Sequence, residues 1–162
     1  MASSETVAGN LPVPQGRYVP ARRVHSIVRT AGMTPRVDGR LLLTGRVGDD
    51  VDVLRARDAA AVAVGNALAA ARSLVAVGER LRCAELIVYV ACTADFTELS
   101  TVADGASDVI AAEFGSDELP ARSAVGVHAL PGGSPVEVSL SAEVVAAPGE
   151  RDGESAAVAV RP

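Results

Sequence analysis

Residues 136–144, near the C-terminus, read Val-Glu-Val-Ser-Leu-Ser-Ala-Glu-Val and carry the clearest strand pattern of the chain. Valine, leucine or alanine occupies every even-numbered position, and glutamate or serine occupies every odd-numbered one. Because successive side chains of a strand point to opposite faces, this alternation predicts a strand over Val136–Val145 with one buried face. Its other, polar face is predicted to be left uncovered.

Two further strands are predicted close to this one. Ser123–Ala129 precedes it and is joined to it by Leu-Pro-Gly-Gly-Ser-Pro at residues 130–135. So short a connection predicts that the two strands are antiparallel neighbours. Leu86–Cys92 is apolar on both faces, which is typical of a central strand that is covered on each side.

The N-terminal part of the chain predicts shorter strands. Val24–Thr30 and Arg40–Thr44 have the composition of strands, and Asp38-Gly39 is a dipeptide favoured in tight hairpin turns. A hairpin is therefore expected around Asp38-Gly39.

A first helix is predicted from Val53 to Val77, where apolar residues recur at helical intervals. Asp50 or Asp52 is expected to cap its start, and Gly78 is expected to end it. The residues predicted to share its buried face are Leu54, Ala61, Val64, Leu68, Ala71 and Val75.

A second helix is predicted over Phe96–Phe114, with Asp95 before it and Gly115 after it. Together the strands and helices predict an α+β fold in which one mixed sheet carries two helices on one face.

Length and composition predict one domain. The chain has 162 residues, 49% of them hydrophobic but only 2% aromatic, so its core is expected to consist of Ala, Val and Leu. We expect the domain over residues 17–146, with one flexible polar tail over 1–16 and another over 147–162.

Charge and composition also exclude several functions. All fifteen basic residues are Arg, and the absence of Lys excludes a Schiff-base or P-loop lysine. A net charge of −5 and few aromatics disfavour nucleic acid as a partner. The sequence predicts neither a signal peptide nor a membrane span, so a cytoplasmic location is expected.

The remaining candidate ligands predict no metal site. His25 and His128 lack the spacing of a zinc-binding pair, and the aspartates at 49, 50 and 52 stand where a helix start needs acidic caps. Cys83 and Cys92 are predicted to be buried free thiols, because residues nine apart on a strand lie about 30 Å apart.

Arg122 and Glu137 form the most promising pair for chemistry. Each lies near the start of one of the last two predicted strands, so both are expected to reach one pocket at the sheet edge. An Arg can bind a carboxylate through two parallel hydrogen bonds, and a Glu can move protons to and from a water. A surface ion pair is the alternative interpretation of the same spacing.

Three separated motifs resemble the C-terminal signature of the Rid superfamily, the YjgF group of reactive-intermediate deaminases also known as L-PSP endoribonucleases. The resemblance covers about Tyr18 to Val145. The three motifs are Pro120-Ala121-Arg122-Ser123, Leu130-Pro131 and Val136-Glu137-Val138; Tyr18–Ala21, Gly105–Asp108 and Phe114-Gly115 resemble a longer subgroup.

This resemblance implies a chorismate-mutase-like fold and a homotrimer, with the polar sheet faces turned toward the centre and ligand clefts between subunits. It implies that Arg122 binds a substrate carboxylate, that Glu137 positions the water that attacks an imine carbon, and that Gly32 contributes backbone to the cleft. Tyr18, Ala31, Met33 and Ala124 are then expected to contact substrate, and no metal or organic cofactor is implied.

The chain departs from the family pattern at three of these positions. Ala31 and Met33 replace the usual Ser and Gln, and Ala124 replaces a Cys or Thr. A more apolar and roomier pocket is therefore expected, for a larger substrate.

The resemblance favours an imine or enamine deaminase that acts on a small carboxylate-bearing molecule. The alternatives are a pathway-specific relative acting on a larger imine or amide, and a trimer that binds a metabolite or partner without turnover. A ribonuclease is the least favoured.

Overall fold

The computed structural model describes residues 12–148, which contain seven strands and two α-helices. Residues 1–11 and 149–162, most of the two predicted tails, lie outside the described residues. In chain order the elements are β1 (Ala21–Val24), β2 (Ile27–Thr30), β3 (Arg36–Val37), β4 (Arg40–Leu41), α1 (Val53–Arg72), β5 (Glu79–Ala91), α2 (Leu99–Phe114), β6 (Ala121–Val127) and β7 (Val136–Ala146).

Five strands form one mixed sheet in the order β1-β2-β7-β5-β6, and β5 is parallel to β6 but antiparallel to β7. The predicted pairing of Ser123–Ala129 with Val136–Val145 is therefore wrong, because β5 lies between the two strands. The connection over residues 128–135 crosses two strand spacings, about 10 Å, a distance that it spans easily. The central position predicted for Leu86–Cys92 is confirmed, but the predicted cover on both faces is not present within residues 12–148, where Ile87 and Tyr89 are half-buried on the face without helices.

The alternation of β7 is confirmed. Its even-numbered side chains, from Val136 to Val144, are buried, and its odd-numbered ones are half-buried on the opposite face. Helix α1 packs on β7 and β2, and α2 packs on β6 and β5, so both helices cover the face of the even-numbered residues. The predicted α+β architecture is therefore present.

Helix α1 begins as predicted and ends earlier than predicted. Asp52 caps it by accepting a hydrogen bond from the Arg55 backbone N–H at 2.9 Å. The helix ends at Arg72, where Ser73 donates its hydroxyl to the Ala70 carbonyl, and Gly78 lies in the following turn at φ +83°. The buried face is mostly Ala, and Leu54, which was expected on it, is 66% exposed.

Helix α2 ends at Gly115 as predicted, with a φ of +99° that favours glycine. Its start differs from the prediction, because the helix begins at Leu99 and Asp95 lies too far ahead to cap it.

The N-terminal strands are shorter than predicted. Val24–Thr30 is not one strand, because a turn at His25 (φ +55°) separates β1 from β2. The hairpin at Asp38-Gly39 is confirmed, with φ of +50° and +76°, but the strand after it ends at Leu41.

Candidate functional site

Glu137 lies on β7, on the sheet face opposite the helices, with its carboxylate against Gly32. The backbone after β2 runs beside β7, because Met33 and Val138 exchange two backbone hydrogen bonds of 2.8 and 2.9 Å. A Cβ atom at Gly32 would overlap the Glu137 carboxylate. Glycine at this position therefore allows the close approach.

The surroundings of Glu137 make its carboxyl group harder to ionise than one in water. Burial raises the pKa of its carboxyl above the usual value, and no ion pair within residues 12–148 opposes this effect. A carboxyl group whose pKa is raised toward neutrality is suited to accept and return a proton.

A cavity of about 370 Å³ adjoins this position. Tyr18, Gly32 and Met33 line it, so the structure brings these three predicted residues together. Ala31 packs against the core instead, and its backbone N–H donates a hydrogen bond to the Pro20 carbonyl at 2.8 Å.

Arg36 and Asn66 also line this cavity, although they were not among the residues predicted from the sequence. Asn66 donates to the carbonyls of Thr34 and Arg36 at 3.1 and 3.0 Å, which fixes the segment after β2 on α1. An Asn within an Ala-rich helix was the available signal, because a partly buried amide needs hydrogen-bond partners.

Arg122 lies on β6 and faces α2. Its Nη1 donates to Asp104 Oδ1 at 2.7 Å and to Ser107 Oγ at 2.8 Å. Asp104 and Ser107 lie three positions apart on one face of α2, but nothing in the sequence showed that this face meets Arg122. Ala124 follows Arg122 on the same face of β6 and packs against the core.

A single chain does not bring Arg122 and Glu137 into one pocket. Arg122 pairs with Leu86 on β5, whereas Glu137 pairs with Tyr89. Because Leu86 and Tyr89 are an odd number of residues apart, the two side chains lie on opposite faces of the sheet. The expectation of a shared pocket followed from the hairpin prediction, which is wrong.

Cys83 and Cys92 are buried free thiols, as predicted, and burial raises the pKa of Cys83 to about 11. Within residues 12–148, no group of three or more His, Cys, Asp or Glu side chains is arranged to hold a metal ion. Neither helix of this part of the chain is long and apolar enough to cross a membrane.

Structures of similar architecture are known from several bacteria. Atu1372 of Agrobacterium tumefaciens, a protein of unknown function, is 35% identical over 80% of this chain and 82% of its own, with a TM-score of 0.73. A candidate endoribonuclease of Shewanella oneidensis is 29% identical over 84% of this chain and 91% of its own, with a TM-score of 0.76. Escherichia coli TdcF with bound serine, 24% identical over 82% of this chain and 91% of its own at a TM-score of 0.56, shares the fold.

Sequence comparison assigns the family. Protein TCP17 of Trypanosoma cruzi is 34% identical over 119 residues, which are 72% of this chain and 74% of that protein. The family model described as Endoribonuclease L-PSP matches residues 8–144. The chain therefore belongs to the endoribonuclease L-PSP family, the YjgF group that its motifs resemble.

Proposed function

We propose that the protein is a cytoplasmic, homotrimeric hydrolase that converts a reactive imine or enamine into a carbonyl compound and ammonia. The observation that carries this proposal is the half-buried Glu137 carboxyl, which has a raised pKa and lies against Gly32 beside a cavity of about 370 Å³. This volume falls in the range of small-molecule sites. The serine bound to TdcF supports a small-molecule ligand for this fold.

In the proposed reaction an enamine first tautomerises to its imine, and water then adds across the C=N bond. Glu137 accepts a proton from the attacking water and returns one to the nitrogen of the carbinolamine. The C–N bond then breaks, so that one imine and one water give one carbonyl compound and one ammonia. With a substrate derived from an amino acid, the product is a 2-keto acid.

Arg122 is proposed to bind the substrate carboxylate. Asp104 and Ser107 both contact Nη1, so they orient the guanidinium through one nitrogen. The edge formed by Nε and Nη2 has the geometry to bind a carboxylate through two parallel hydrogen bonds. The two α2 residues are therefore positioning residues in this proposal.

The opposite orientation of Arg122 and Glu137 supports a site shared between two subunits. In a closed ring of identical chains, each cleft can combine Arg122 of one subunit with Glu137 of the next. The polar face of β7, with its half-buried glutamates and serines, is proposed to turn toward the centre of a trimer.

Met33 supports a substrate with an apolar side chain, because it lines the cavity next to Gly32. Ala31 and Ala124 pack against the core, so Met33 is the one replaced family position that lines the cavity. Each methylene of a substrate buried there contributes about 0.8 kcal/mol. We therefore propose a substrate bulkier than the smallest amino-acid-derived enamine.

A trimer that binds a metabolite without turnover is the second candidate. The cavity of about 370 Å³ fits this candidate equally well, with Arg122 and Glu137 recognising a bound ligand without activating a water. Ammonia release distinguishes the two candidates.

The test uses imines generated in solution from amino acids of increasing side-chain size. We expect ammonia release that rises with side-chain size and is lost in Glu137→Gln. Glu143→Gln is the matched control, since Glu143 lies on the same face of β7. Arg122→Lys is expected to lose ammonia release as Arg122→Ala does, because a Lys side chain cannot form two parallel hydrogen bonds to a carboxylate.

Three results would contradict the proposal: no ammonia from any imine, a Gln variant at position 137 as fast as wild type, or near-normal turnover by Arg122→Lys. RNA degradation that is lost in Arg122→Ala would instead establish the ribonuclease that the family name suggests.

A further inference from the structure

A second cavity opens at the β6 edge of the sheet, on the face that the helices cover. Its volume is about 310 Å³, within the range of small-molecule sites. We call it the β6 groove; its principal lining residues are Arg46, Thr93, Phe96, Leu99, Gly126 and His128.

The β6 groove depends on a missing side chain at Gly126. A Cβ atom at this position would lie 3.2 Å from Cys92 Sγ and 3.6 Å from Leu99 Cδ1, so a larger residue would fill the space. Phe96 and Leu99 form an apolar wall. A ligand in the groove therefore gains contact for a hydrocarbon portion.

Arg46 gives the β6 groove its charge. Its Nη2 donates to the Cys92 carbonyl at 2.5 Å, and its backbone N–H donates to Asp50 Oδ2 at 3.1 Å. Within residues 12–148 its guanidinium forms no ion pair, and its buried Nε has no hydrogen-bond partner. The buried Nε is out of a ligand's reach, so a bound carboxylate would meet Nη1, which forms no hydrogen bond within the described residues.

The other polar groups of the groove do not neutralise Arg46. Thr93 and His128 line the groove with it, and none of the groove's lining residues in the described part of the chain is Asp or Glu. The guanidinium of Arg46 is held in place by a backbone carbonyl and lies beside the apolar wall. This combination suits an anion with a hydrocarbon body.

We propose that the β6 groove binds a small carboxylic acid, with its carboxylate on Arg46 and its hydrocarbon chain along Phe96 and Leu99. This site requires neither Arg122 nor Glu137, so it lies outside the proposed hydrolysis. It gives the protein a second ligand site for a monocarboxylate of medium chain length.

The test is a titration of the ¹⁵N-labelled full-length protein with hexanoate, followed by NMR. The control compounds are hexanamide, which lacks the negative charge, and acetate, which lacks the hydrocarbon chain. We expect hexanoate to shift the amide signals of Thr93, Leu99, Gly126 and His128 and to bind at least about tenfold more tightly than either control compound, equivalent to about 1.4 kcal/mol. Equal binding of hexanoate and hexanamide, or shifts confined to other residues, would overturn the proposal.

Variants separate this site from the one at Glu137. Arg46→Gln is expected to weaken hexanoate binding about tenfold, and Arg55→Gln, an exposed arginine at the start of α1, is the matched control. Gly126→Val is expected to block binding by filling the groove. Glu137→Gln and Arg122→Lys should bind hexanoate like wild type, and loss of binding in Arg122→Lys would place the carboxylate at Arg122 and overturn the proposal.

Discussion

Glu137 and Gly32 show how a single missing side chain shapes the candidate site. The orientation of Glu137 was predictable, because the alternation of β7 requires its side chain to leave the core. The contact with Gly32 was not predictable from spacing, because it depends on the backbone bonds between Met33 and Val138. The family resemblance pointed to Gly32, and the structure supplies the physical reason.

Gly32→Ala is expected to damage the site and to leave the fold intact. The new methyl group would displace the Glu137 carboxylate, and a displacement of about 1 Å at a reacting group costs up to about 100-fold in rate. Ammonia release and thermal unfolding of the same preparation check this expectation. Wild-type turnover by Gly32→Ala would show that the Glu137 carboxylate need not lie against this backbone.

The side-chain partners of Arg122 could not be predicted from the sequence. Its strand was predicted two residues too late, as Ser123–Ala129 instead of Ala121–Val127. Its partners Asp104 and Ser107 lie on a helix whose rotation about its axis is set by tertiary packing. The buried face of α1 was hard to predict for the same reason. Ala residues occur on every side of this helix, so the apolar pattern does not determine its rotation about its axis. The prediction that Leu54 is buried failed for this reason, and its side chain is exposed.

At the scale of elements, the sheet order was the main error. Each of the last three strands was found from its own pattern, but pairing is a long-range property, and the short connection over residues 128–135 favoured the wrong neighbour. The apolar pattern of Leu86–Cys92 was the better guide, because it predicted a central strand, which has a neighbour on each edge. In the structure β6 and β7 lie on opposite edges of β5.

Helices α1 and α2 cross at Gly105, and this crossing gives a prediction. A Cβ atom at Gly105 would overlap the Arg57 carbonyl of α1, whereas one at Gly65 meets no atom within 4 Å. Gly105→Ala is therefore expected to destabilise the fold by about 1–3 kcal/mol. Gly65→Ala, the matched control in α1, should stabilise it by roughly 0.5–1 kcal/mol. Urea unfolding measures both, and equal effects would contradict the close crossing.

An ion pair between Arg23 of β1 and Glu79 of β5 predicts how stability depends on pH. Two hydrogen bonds of 2.6 and 2.8 Å join the side chains, and Glu79 also accepts from the Ala76 N–H at 2.9 Å. The bonds to Arg23, reinforced by that of Ala76, lower the pKa of Glu79 from 4.5 to about 2.

Because the folded-state pKa of Glu79 is depressed, its contribution to stability is present above pH 4.5 and is lost as the pH falls to about 2. Glu79→Gln should therefore be less stable than wild type at neutral pH, and the difference should shrink across this range. Urea unfolding at a series of pH values checks the expectation. A difference that is constant with pH would mean that the carboxylate charge is unimportant.

At the scale of the whole molecule, the uncovered face of the sheet predicts self-association. The odd-numbered residues of β7 are half-buried without a covering layer in residues 12–148. We expect light scattering coupled to size exclusion to give three times the 16.4 kDa mass of the chain. A stable monomer at micromolar concentration would contradict the trimer.

The proposed site requires Arg122 of one subunit and Glu137 of the next, and mixed trimers test this requirement. Arg122→Ala and Glu137→Gln chains, each inactive alone, are coexpressed with different tags and purified through both. If neighbouring subunits share each cleft of the symmetric ring, one of the three clefts in every mixed trimer contains both native side chains, about a third of the total. Ammonia release is then expected to return to about that fraction of the wild-type rate. A mixture as inactive as its two components would show that neighbouring subunits do not share the site.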